Sequence, residues 1–210
     1  MTSFDINCRQ CERLAAFLDD VIIEHPDYYC KPVPAFGAKR AQLLVVGLAP
    51  GMHGANKTGR PFTGDYSGIL LYETLHAFGF ASKPESVSEN DGLKLKNCRI
   101  TNAVKCLPPQ NKPTGAEINQ CNAFLAYELK AVPKNSVLIA LGSIAHNAIL
   151  KALGLKLSAY KFAHNVEHVL TDKITLVDSY HCSRYNTQTK RLTEDMFQDV
   201  FAKAKILIGE

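Results

Sequence analysis

The chain has 210 residues, 46% of them hydrophobic, enough to bury a substantial core and to read as one domain over residues 1–210. Its 24 basic against 20 acidic residues leave a formal charge of +4, which permits a polyanionic partner but is too small to mark a nucleic-acid binder by charge alone. The N-terminus lacks the basic start and apolar run of a secretory signal, and the most apolar stretch, residues 137–155, is broken by Gly142, His146, Asn147 and Lys151, which argues against a membrane span and for a cytoplasmic protein.

A Cys8-x-x-Cys11 pair stands near the start of the chain. Leu14, Phe17, Leu18, Val21 and Ile22 then recur at three- and four-residue steps, which predicts an amphipathic helix ended by His25-Pro26. Residues 32–37 form a stiff, proline-rich connector into a buried strand at 42–47. The 67–78 segment reads as a helix and the polar 82–95 segment as an excursion into solvent. A second strand follows at 97–104. Thr114 and Glu117 make a capping box that opens a helix through Cys121 to about residue 131. Strands at 137–141 and 174–178 flank a helix at 143–153, and a last helix spans 193–207, with Glu194 and Asp195 suited to its positive N-terminus. Strands alternating with helices predict an α/β fold, a three-layer α/β/α sandwich around a mostly parallel four-stranded sheet.

Polar clusters fall after three of the strands, where an open α/β sheet places its ligand crevice. The first is the long Gly- and Pro-rich loop 47–65; connections beyond about 12 residues are usually functional or disordered. Gly51 and Asn56-Lys57-Thr58 nearly match a phosphate-binding loop, but Asn56 replaces its second glycine. Arg60-Pro61 then disfavours a helix beginning at Lys57, so a nucleotide triphosphatase is the weaker reading. The other clusters are Thr101-Asn102 and residues 179–187, which include His181. Basic side chains gather near these motifs, at Lys57, Arg60, Lys105, Lys112, Arg184, Lys190 and Arg191, a grouping that suits a polyanion gripped locally. Of seven cysteines, Cys8, Cys11, Cys106 and Cys121 form two pairs able to hold zinc or an iron–sulfur cluster, and their spacing leaves both open. Cys30, Cys98 and Cys182 read as buried free thiols.

The segments 47–65 (GLAPGMHGANKTGRPFTGD), 100–109 (ITNAVKCLPP) and 179–187 (SYHCSRYNT), with the four-cysteine layout, resemble the family 5, or type B, uracil-DNA glycosylases from Cys8 to about Phe197. The resemblance implies a [4Fe-4S] cluster on Cys8, Cys11, Cys106 and Cys121, and excision of uracil, with hypoxanthine among the other candidate lesions, from double-stranded DNA by a monomer. Related families carry an acid or amide just after the first strand. Leu48 and Ala49 stand there, and by resemblance the water-activating role passes to Asp65. Lys57 departs from the family's usual arginine, keeping the charge but losing the bidentate fork. Breaking an N-glycosidic bond needs a carboxylate near the sugar and donors near the departing base. Asp65 and His181 suit those roles, and Asn102 can pair with the base edge. Phe62 offers a stacking face, with Gly47, Ala49, Pro50, Gly51 and His53 around it. Arg184 and Tyr185 are placed to wedge into the vacated duplex. The rival reading, an iron–sulfur nucleic-acid-binding or electron-transfer module without glycosylase activity, leaves the Phe62, Asp65, Asn102 and His181 set unexplained.

Overall fold

A computed structural model describes residues 3–209; residues 1, 2 and 210, the ends of the expected domain, lie outside the described residues. Among the described residues six strands form one sheet: β1 (Phe36–Gly37), β2 (Leu43–Gly47), β3 (Cys98–Asn102), β4 (Ser136–Leu141), β5 (Glu167–Val169) and β6 (Ile174–Ser179). Their spatial order is β1-β3-β2-β4-β6-β5. The inner four, β3-β2-β4-β6, are parallel, whereas β1 and β5 add antiparallel edges. The expected four-stranded sheet is therefore six-stranded. Strands of two and three residues are too short to show an alternating pattern, and both edges are only partly buried. Gly37 explains how β1 pairs within the proline-rich connector. It sits at φ +103°, and a Cβ there would lie 2.3 Å from the Cys98 carbonyl oxygen, so the close approach to β3 requires glycine.

Helices cover both faces: α1 (Glu12–Glu24), α2 (Ala55–Thr58), α3 (Tyr66–Ala77), α4 (Gly115–Lys130), α5 (Ser143–Ala152), α6 (Arg184–Gln188) and α7 (Glu194–Ile208). The pleat sorts the side chains. Leu43, Val45, Ile139 and Val177 pack with Leu71, Tyr72 and Phe197 of α3 and α7, while Leu44, Val46, Leu138 and Leu176 pack with Leu125, Leu129, Ala145 and Ile149 of α4 and α5. Strands buried on both faces read as continuous apolar runs, as β2 does. No helix among the described residues is long and apolar enough to cross a membrane. The capping box forms as expected: Thr114 accepts from the Glu117 N–H, and the Glu117 carboxylate accepts from the Thr114 N–H.

Most of the 82–95 segment is exposed, as expected, but it is tied to the molecule at defined points: Ala81 and Leu95 form a β-bridge, Leu93 is buried, and Ser86 and Asp91 grip Arg60. The stretch before Arg60-Pro61 also gains structure, since α2 forms one helical turn that ends at Thr58, with Gly59 capping it at φ +75°. Lys57 and Thr58 thus close a turn rather than open a helix, contrary to what a phosphate-binding loop requires.

Candidate active site

The loop after β2, Asn102 at the end of β3 and the residues after β6 meet in one cleft at the carboxyl ends of the parallel strands. The cleft encloses about 860 Å³, within the roughly 300–1,000 Å³ common for ligand sites. Asp65 caps α3 with its side chain: Oδ1 accepts from the Gly68 N–H at 3.0 Å. The other oxygen is packed against glycines. A Cβ on Gly54 would stand 2.4 Å from Oδ2, so the loop can lie over the carboxylate there only because Gly54 lacks a side chain, whereas one on Gly51 would make an ordinary contact at 3.4 Å. Burial raises the Asp65 carboxyl above the ordinary carboxylate range, partly offset by the N–H groups of Gly68 and Ser67.

Phe62 follows the turn at φ +54°, a region unfavourable to a bulky residue, where such strain persists only if the surroundings enforce it. They do so here. Tyr72 donates to the Pro61 carbonyl at 2.8 Å, and Gly68 accommodates the Phe62 carbonyl, which a Cβ there would meet at 1.9 Å. The result is a buried ring whose face stacks on His181, with centroids 6.0 Å apart. Gly47 completes the arrangement by leaving room for both Phe62 and Asn102, whose atoms would stand 2.6 Å and 2.4 Å from a Cβ on it.

Asn102 is 4% exposed and its Oδ1 is buried without a hydrogen-bond partner among the described residues. His181 keeps an edge on the cleft, but its Nδ1 is also buried and partnerless. Burial pulls the His181 pKa down to about 4, because the imidazolium would lose its water without gaining a counter-ion. The ring is therefore neutral at neutral pH and able to donate one N–H. Two unsatisfied polar groups in one cleft are unusual in a folded protein and mark a surface shaped for a polar ligand.

Comparison with known proteins decides the family. The model of the uracil DNA glycosylase superfamily matches residues 34–205. A type-5 uracil-DNA glycosylase of Thermus thermophilus is 46% identical over 207 residues, 96% of this chain and 94% of that protein. Those of Pyrobaculum aerophilum and Mycobacterium tuberculosis are each 41% identical, over 95% and 96% of this chain and 88% and 78% of theirs. The chain belongs to the uracil-DNA glycosylase superfamily. Within it, the resemblance read from the motifs is borne out at the level of the type-5 enzymes.

The sequence-predicted residues separate into two groups. Ala49, Gly51, His53, Phe62, Asp65, Asn102, His181 and Arg184 come together around the cleft. Pro50 is buried next to Ala49 and Gly51 of the lining, and Tyr185, 71% exposed on α6, stands away from it. Two of the cations expected to meet phosphate do not. Arg60 is buried and donates to Asp91 and Ser86 and to the Glu89 carbonyl, with its guanidinium 4.4 Å from the Phe36 ring centroid. Lys105 is 1% exposed and donates to Glu128 at 3.0 and 3.1 Å and to Thr101. Both are structural ions, whereas Lys57, Lys112, Arg184, Lys190 and Arg191 are exposed. Sequence reasoning missed Gly54 and Tyr28. Gly54 reads as one more loop glycine, and Tyr28, whose hydroxyl is 2.8 Å from Nδ1 of His53, lies far from the motif in sequence.

Cys8, Cys11, Cys106 and Cys121 line a single small apolar cavity. Arg13 of α1 binds Glu117 of α4 through two hydrogen bonds of 2.8 and 2.7 Å, which ties α1, beginning just after Cys11, to the helix that carries Cys121. Burial, and then neighbouring thiolate charge, pushes the Cys106 thiol up to about 12, and burial carries Cys121 to about 11. Such thiols stay protonated unless a cation replaces the proton. Among the described residues no three of these sulfurs lie within 4.8 Å of one another. The remaining cysteines are not alike: Cys98 and Cys182 are fully buried, but Cys30 is part-exposed beside Asn56, against the expectation of burial.

Proposed function

We propose that this cleft takes a uracil swung out of duplex DNA and hydrolyses its N-glycosidic bond, leaving an abasic site for base-excision repair. The chain is a uracil-DNA glycosylase, and its relatives' names carry that activity over most of its length. The observation that carries the chemical reading is the pair of buried, partnerless atoms, Asn102 Oδ1 and His181 Nδ1, in the cleft that also holds Asp65. Uracil presents an N–H beside a carbonyl oxygen. The Asn102 amide is complementary to that edge, with Oδ1 accepting from N3–H and the amide NH₂ donating to O4. A flipped base stacks on the Phe62 ring.

The C1′–N1 bond breaks with its electron pair leaving on the base, and positive charge builds on the sugar. Asp65 faces that charge and orients the water whose oxygen bonds to C1′, taking up its proton, a role suited to a carboxylate of raised pKa. Neutral His181 donates an N–H to the base carbonyl where negative charge accumulates, and so stabilises the leaving group. Lys57 and Arg184 are the exposed cations nearest these motifs and meet the flanking phosphates. Hypoxanthine presents the same N–H and carbonyl pair as uracil, so Asn102 accepts it wherever the cleft admits its second ring.

The four cysteines suit a [4Fe-4S] cluster, since all four converge on one small apolar cavity. Bound there, the cluster supplies a structural tie between the N-terminal segment and the chain after β3. The protein acts as a monomer in the cytoplasm. The test is excision from duplexes each carrying one lesion, read by alkaline cleavage of abasic sites, with iron and zinc quantified on the same preparation. Uracil release should fall about 10²- to 10⁴-fold in Asp65→Ala with folding intact. Wild-type excision by that variant would overturn the mechanism, and stoichiometric zinc without iron in active protein would overturn the cluster.

A further inference from the structure

A second group of metal-type donors lies away from the cysteines. His146 of α5, His168 of β5 and Asp178 of β6 place three candidate ligand atoms within 4.8 Å of one another. Nδ1 of His146 is 2.8 Å from Asp178 Oδ1, and Nε2 of His168 is 3.3 Å from Asp178 Oδ2. The Asp178 side chain is wholly buried. Its Oδ2 and Nε2 of His168 have no hydrogen-bond partner among the described residues.

The tautomer of His146 makes this arrangement informative. Its Nε2 lies 3.1 Å from the Tyr160 carbonyl oxygen. A carbonyl only accepts, so Nε2 carries hydrogen. In the neutral ring Nδ1 is then a lone pair facing a carboxylate oxygen at 2.8 Å, two acceptors in contact. Something positive must stand between them, either a proton or a metal ion. Metal-binding histidines are commonly oriented in this way, one ring N–H donated to a backbone carbonyl and the other nitrogen left for the ion.

We propose that His146 Nδ1, His168 Nε2 and an Asp178 oxygen form a binding site for a divalent cation of the zinc class, separate from the four-cysteine site. Two imidazoles and one carboxylate suit zinc and its neighbours in the transition series rather than calcium or magnesium, which take oxygen shells. The rings of Tyr160 and Phe162 wall the cluster, at 5.7 Å from the rings of His168 and His146 respectively. The His168 side chain remains 13% exposed on an edge strand, which provides a way in. An ion there clamps α5 and β5 to the end of β6, three residues ahead of His181.

The test uses the protein as purified, its bound metals quantified beforehand, titrated with zinc chloride by calorimetry and followed by thermal unfolding. One further equivalent of zinc should bind and raise the unfolding temperature without changing the visible absorption of the cysteine site. His168→Gln, at the part-exposed position, should weaken binding about 10- to 100-fold and abolish the thermal shift. Cobalt(II) in place of zinc should give visible d–d bands without thiolate charge-transfer absorption. No extra zinc bound, or equal binding by His168→Gln, would overturn the site and leave a proton between His146 and Asp178.

Discussion

The cleft and the Arg60 network lie on the same loop and treat polar groups in opposite ways. Around Arg60, donors and acceptors are matched: Nη1 reaches Asp91 and Ser86, Nη2 reaches a backbone carbonyl, and Asp91 also accepts from the N–H groups of Val87, Ser88 and Leu93. Burial alone would raise the Asp91 carboxyl, but Arg60 and those N–H groups hold it far below the usual range. Across the loop, Asn102 and His181 present buried atoms with nothing to bind, and Phe62 holds a strained backbone. An unmet buried polar group costs about 1–3 kcal/mol, and strain of this kind a similar amount. The saturated region stabilises the loop, and the unsaturated one is kept for a ligand that meets its groups.

That comparison is broken most sharply by a substitution that leaves every polar group in place. Gly54→Ala would set a Cβ 2.4 Å from Asp65 Oδ2 and so displace the carboxylate. A shift of about 1 Å at a reacting group costs on the order of 10²-fold. Single-turnover excision should fall by that amount while DNA binding, followed by fluorescence anisotropy, stays near wild type. Unchanged excision would mean that Asp65 is not held by this contact.

The reverse pattern is expected from Arg60→Ala, which leaves Asp91 buried without its cation. Removing one partner of a buried pair destabilises by about 3–5 kcal/mol, measurable by denaturant unfolding, whereas excision per folded molecule should change little. A loss confined to excision or to the salt dependence of DNA binding would return Arg60 to the phosphate contacts.

A smaller effect concerns pH. His181 has its folded pKa lowered from 6.5 to about 4, so below 6.5 the unfolded chain takes up a proton that the folded chain refuses. Its contribution to stability is whole above pH 6.5 and declines as pH falls toward 4. His181→Gln should flatten that part of the stability profile, and an unaltered profile would contradict a neutral, buried His181.

The parallel core of the sheet was legible because β2 and β4 are unbroken apolar runs, and α4 because its capping box is written in four residues. The edges β1 and β5 were not, since two or three paired residues leave no periodicity. At the site, Asp65, Asn102 and His181 were found from chemistry and resemblance at strand ends. The fate of the cations was hidden. Arg60 and Lys57 look equivalent three residues apart in one motif, and what separates them is Asp91, 31 residues beyond Arg60. Glu128 does the same for Lys105 from the next helix. Long-range pairing of this kind leaves no local trace in the sequence.

The most direct test of the central claim is single-turnover uracil excision by Asn102→Leu, with the unfolding temperature taken on the same sample. Leucine keeps the approximate shape and removes the partnerless carbonyl, so excision should fall by at least about 10²-fold while the unfolding temperature holds or rises. Near wild-type excision, or lost excision with a marked loss of stability, would contradict the reading of Asn102 as a polar group reserved for the flipped base.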